Sequence, residues 1–189
     1  MTPLALTPPA IEPVSLPEAK DFLRILADDE DNLLATLVTA ARLMVEAASG
    51  RMLIDQHWRI VLDAWPRSGR LRLPLSPVSA VVAARVYDRD GGATPVEGEA
   101  LSLEPGSDPP AIALAGALPA PGRAHAGIEI DVVAGFGPLR DAVPAPLRQA
   151  VLRLACRWFE LRGDVASRDA ARLPEEVAAL VAPFRRARL

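Results

Sequence analysis

The chain has 189 residues, half of them apolar, with a formal net charge of −3 and only 4% aromatic residues. That length fits one domain with extensions better than two domains of ordinary size, and a charge so near zero excludes a whole-chain electrostatic footprint for nucleic acid. A single cysteine, Cys156, leaves no disulfide within the chain and fits a reducing compartment.

Residues 1–14 carry Pro3, Pro8, Pro9 and Pro13, which break any helix, so this stretch is expected to be an extended N-terminal arm ordered against a neighbour. It has no basic start followed by an apolar run and reads as neither a secretory signal nor a membrane span. Ser15-Leu16-Pro17-Glu18 is a capping box, in which hydroxyl and carboxylate satisfy each other's backbone N–H, and it predicts a helix over 15–26. A second helix is expected over 28–49. Asp29, Glu30 and Asp31 would lie at the positive end of its dipole, Leu33, Leu34, Leu37, Val38, Ala41, Met44, Val45 and Ala48 would supply a wide apolar face, and Gly50 would end it.

After Gly50 the period near four gives way to short β-rich runs separated by proline and glycine. Strands are expected around 58–62, 70–75, 78–87, 101–103, 111–114 and 127–133, with Asp88-Arg89-Asp90-Gly91-Gly92 as a hairpin turn. These form a small antiparallel sheet inserted over about 54–133.

The stretch 134–163 then joins a strand end, the turn Gly135-Phe136-Gly137 and an amphipathic helix over 144–162. Its core stripe is expected to be Leu147, Val151, Leu154, Trp158 and Leu161, with Gly163 as the left-handed cap. Beyond it lie a linker and a last helix opened by Leu173-Pro174-Glu175-Glu176. Pro174, Val177, Leu180, Val181, Phe184, Arg185 and Arg186 are its candidate binding residues, since so short an amphipathic segment needs a surface to dock on. The fold class is therefore α+β: a bundle of about four helices with an inserted antiparallel β-sheet and extended termini. Its domains are the arm 1–14, a central domain 15–163 and a C-terminal linker and helix 164–189.

Catalytic patterns are missing from the sequence. His57 and His125 stand in unrelated contexts, and HExxH, CxxC, P-loop, GxSxG and GxGxxG motifs are absent. Gly135-Phe136-Gly137 reads as a structural turn, because Pro138 removes a donor that a phosphate cradle would use. The chain is read as a non-enzyme with no catalytic, cofactor-binding or metal-ligating residues and no cofactor.

The ordered set SLPEAKDFLRIL (15–26), ARLMVEAASGRML (41–53), WRIVLDAWP (58–66), LPLSPV (73–78), AGFG (134–137), VPAPLRQAVLRLACRWFELRG (143–163) and LVAPFRRARL (180–189) resembles the head-tail connector (adaptor) proteins of long-tailed phages and of phage-derived gene transfer agents. The resemblance implies a structural ring of about twelve copies in the particle neck, reached from the host cytoplasm on assembly. The ring would sit under the portal protein, with stopper and tail proteins as further partners, no membrane, and double-stranded DNA passing through its lumen without sequence specificity. It also implies that the final helix docks on the portal. A tail-completion or terminator ring protein is the alternative, and a small hydrolase of particle maturation a more distant one.

Overall fold

The computed structural model describes residues 1–161 and 173–185. The chain folds as two compact units, one built from Met1–Ala10 with Asp55–Phe136 and the other from Ile11–Ile54 with Gly137–Leu189.

The first unit holds β1 (Thr2–Thr7), β2 (Gln56–Leu62), β3 (Arg70–Arg72), β4 (Val78–Tyr87), β5 (Ala93–Pro95), β6 (Leu101–Leu103), β7 (Ala111–Leu114) and β8 (Ile128–Ala134). They form a five-stranded sheet in the order β1-β2-β8-β4-β5 and a three-stranded sheet in the order β3-β7-β6, with every pairing antiparallel. Two sheets thus stand where one is expected. Pro74 interrupts the 70–75 run, and its remaining three residues pair with β7 rather than joining the larger sheet.

Alternation sorts the two faces of the larger sheet. Ile60, Ile130 and Ala84 lie across from one another, as do Leu62, Ile128 and Val86, and all six are buried. Arg59, Arg85, Glu129 and Asp131, which neighbour them along the strands, turn to the other side. Thr2–Thr7, within the segment expected as an arm, is extended and pairs with β2 of its own chain, an edge position where Pro3 costs no ladder bond on the open side.

The second unit holds α1 (Leu16–Leu23), α2 (Asp31–Ser49), α3 (Ala145–Glu160) and α4 (Glu175–Val181). The capping box forms as read: Ser15 N–H donates to Glu18 Oε2 at 2.7 Å and Glu18 N–H donates to Ser15 Oγ at 3.3 Å. α1 stops before Leu26 because Arg24 adopts the left-handed conformation (φ 58°) and the Ile25 N–H returns to the Lys20 carbonyl at 3.0 Å. α2 begins at Asp31, later than the acidic run suggests. The Asp31 N–H closes a turn on the Asp28 carbonyl at 3.2 Å, and the carboxylates of both residues accept from Lys20 Nζ. Gly50 ends α2 at φ 70°.

In this unit Leu147, Ala150, Val151, Leu154, Ala155 and Phe159 of α3 are buried, as are Leu34, Val38, Ala41 and Val45 of α2. The expected stripe fails over its last turn. Trp158 is only half-buried and Leu161 is 43% exposed, while Phe159 goes inside. The buried arc shifts because α1 and α4 also pack on α3, with Cys156 Sγ 3.9 Å from the Ala19 carbonyl oxygen of α1. Gly163, the expected cap, lies outside the described residues.

Candidate docking site

α4 has seven residues, and its spacing divides it cleanly. Val177 and Val181, one turn apart, are fully buried in their own unit. Pro174, Leu180 and Phe184 are half-buried and Arg185 is exposed, while Arg186 lies outside the described residues. The segment after the helix is held by its backbone, since Arg51 Nε donates to the Phe184 carbonyl at 3.1 Å. Of the seven residues that the sequence nominates for docking, then, Val177 and Val181 anchor the segment, while Leu180, Phe184 and Arg185 form its outward part.

A cleft opens at the head of α3, lined by Val14, Glu18, Leu139, Asp141, Arg148 and Leu152. Most of its polar floor is paired, the exception being the buried Arg148 Nε, which has no hydrogen-bond partner among the described residues. The Arg148 guanidinium donates to Glu18 Oε1 at 2.7 Å and to Asp141 Oδ1 at 3.2 Å. Partial burial pushes the Glu18 carboxyl up, but its bonds from Ser15 and the nearby Arg148 charge outweigh this and hold it below its ordinary value. With Ser15 Oγ engaged as a helix cap, the cleft offers a shaped, ion-paired surface and no free nucleophile–base pair.

A second polar cluster lies on the outer face of the larger sheet. Arg59 grips Asp131 with both edges of its fork, at 2.7 and 3.0 Å, and Arg85 Nη2 reaches the same carboxylate at 3.0 Å. Glu129 accepts from Tyr87 Oη at 2.9 Å and lies 3.2 Å from Arg59 Nη1. The signal was present in the alternation Ile128-Glu129-Ile130-Asp131-Val132, which places two carboxylates on one side of a strand.

The two histidines do not meet partners suited to catalysis. His57 is exposed, and His125, 92% exposed, has Nδ1 3.9 Å from Asp63 Oδ1, beyond hydrogen-bond reach. The Cys156 thiol is pushed up to about 11 by burial and by Glu160, which keeps it protonated. Among the described residues no group of three or more His, Cys, Asp or Glu side chains could hold a metal ion, and no described helix is long and apolar enough to cross a membrane. Gly135 and Gly137 take φ of 157° and 155°, and α3 begins eight residues further on, so their N–H groups form no cradle at its start.

Three solved structures resemble the chain over its whole length, each at 33% identity and each covering 100% of this chain and 97% of the matched one. They are the virion of a native gene transfer agent particle (TM-score 0.84), the neck of an empty particle of that kind computed with C6 symmetry (0.85), and the neck of the native particle computed with C12 symmetry (0.81). No protein-family model and no curated protein matches the chain.

Proposed function

We infer the role of this chain from its family: it belongs to the neck proteins of gene transfer agent particles. Within such a neck it acts as the head-tail connector, or adaptor. Copies close into a ring beneath the portal, join the DNA-filled head to the stopper and tail, and line the channel through which double-stranded DNA leaves. The observation that carries this reading is the full-length likeness to a chain of a neck computed with C12 symmetry, and a twelve-membered ring with heterologous contacts is the closed assembly which that symmetry describes.

The physical chemistry agrees with a part that is finished by its neighbours. Aromatic side chains contribute little to the helical core: among the described residues Phe159 is buried there and Trp158 is half-buried. A mildly acidic chain repeated around a channel avoids the many phosphate contacts that would hold the duplex in place. The portal contact runs through the outward part of the last segment, Leu180, Phe184 and Arg185, and through Arg186, the next residue in sequence. Apolar area there is joined to guanidinium forks suited to carboxylate or carbonyl partners.

Electron microscopy of the purified full chain, alone and mixed with its portal protein, tests the reading. Rings seated coaxially on the portal are expected. A chain that stays monomeric and ignores the portal under all conditions would overturn it.

A further inference from the structure

We propose that the outward side of α2 is the surface through which one copy of this chain meets the next; this rests on the ring reading above. α2 is 19 residues long, about 28 Å at 1.5 Å per residue. From Asn32 to Gly50 it carries two charges, Arg42 and Glu46, and both are turned into the unit's interior. There Arg42 Nη1 donates to Glu46 Oε2 at 2.9 Å and Arg42 Nε donates to Glu12 Oε2 at 2.8 Å, while the Leu53 N–H donates to Glu46 Oε1 at 2.9 Å. Asp31, in the first turn, is ion-paired with Lys20; beyond it the charges are placed inside and the exterior of the helix is uncharged.

That exterior is ordered. Leu33, Thr36, Ala40, Leu43 and Ala47 follow in steps of three and four and fall on one line of the helix. Leu33 is 39% and Leu43 55% exposed, Thr36 and Ala47 are exposed, and Ala40 is half-buried. A lone exposed leucine is ordinary. A helix of this length whose open side lacks a charge from Asn32 onward departs from the usual surface helix, with its polar outer face, and has the composition of an interface core, where charged residues are depleted.

Charge decides the occupant. The DNA backbone demands cationic groups, which this face lacks, and the portal-directed segment already presents Arg185. A permanent contact between identical subunits, repeated all round a ring, is of the obligate and more apolar type. Small residues between the leucines let a neighbouring backbone approach closely, as interdigitating ridges require. The occupant is therefore a second copy of this chain.

The test places a charge on that line and, separately, off it. Leu43→Glu and Ala47→Glu are compared with Ala35→Glu, which sits on α2 at an exposed position away from the line, with folding checked by circular dichroism. Particle mass is read by mass photometry and negative-stain microscopy of the full chain with portal protein present. Wild type and Ala35→Glu are expected to form rings, whereas each on-line variant keeps its helical spectrum and loses ring yield by about ten-fold or more, since every contact would bury an unpaired carboxylate. Should Leu43→Glu lose its spectrum, Ala47→Glu decides, because a longer side chain there has open solvent to enter. Undiminished rings from both on-line variants would overturn the α2 assignment and leave the ring standing. Absence of rings from wild type would overturn the ring reading and this inference together.

Discussion

Asp131 is the residue on which the larger sheet's outer face converges. Hydrogen bonds from Arg59 hold its carboxyl below the ordinary carboxylate range, against the opposing effect of partial burial and with further help from the Arg85 charge. A depressed folded-state value means that this stabilisation is fully present above the unfolded value of about 3.9 and is lost as pH falls through the folded one. Asp131→Asn is expected to cost about 1–3 kcal/mol at neutral pH, the range for hydrogen bonds to charged groups left unmade. It should also flatten the acid side of the stability profile. Urea titrations between pH 3 and 7 measure both, and an Asn variant with the wild-type acid slope would show that the pairing contributes nothing to folding. Gly137 makes a different point at the same scale: at φ 155°, a Cβ built on it would lie 2.7 Å from the Ala142 Cβ, so this glycine is required by space and backbone together.

α3 shows how far periodicity carries an element. The positions Leu147, Val151 and Leu154 are buried as the three-or-four spacing says. The same spacing then points to Trp158 and Leu161, but the helix buries Phe159, because packing on α1 and α4 shifts the covered arc. Phe159→Ala is therefore expected to destabilise by about 3–5 kcal/mol, the range for truncating a buried aromatic, and Trp158→Ala by less than half of that. Chemical denaturation of the two variants side by side checks the order, and a larger loss at Trp158 would mean that the helix is rotated from its described position. α2 poses the same question with a different outcome. Of the eight residues read as one apolar face, Leu34, Val38, Ala41 and Val45 are buried, Leu33 is exposed, and Leu37, Met44 and Ala48 are half-buried.

For the whole molecule, the portal contact is the claim with the most direct consequence. Because Val177 and Val181 are core residues, truncating the last helix would confound docking with folding. Charge reversal leaves that core alone. Arg185→Glu is expected to leave the melting temperature within about 2 °C, as surface substitutions do, while weakening portal attachment by about ten-fold or more. Co-sedimentation with portal protein measures it, and wild-type attachment by this variant would place the portal contact elsewhere on the chain.

Local chemistry was readable from the amino acids alone. The Ser15–Glu18 box, the end of α2 at Gly50 and the alternating strand Ile128–Ala134 each depend on residues within a few positions of one another, and all appear where the sequence puts them. The resemblance of the ordered motifs also pointed to a particle neck, where the matching solved structures are found. What needed the tertiary structure were choices made by residues far apart in the chain. Thr2–Thr7 pairs with Gln56–Leu62, Arg59 and Arg85 meet at Asp131, and α2 keeps one apolar side inside and one out. Periodicity reports that a side is apolar, but burial depends on which neighbour arrives to cover it, and that neighbour is encoded elsewhere in the chain or, for α2, in the next copy.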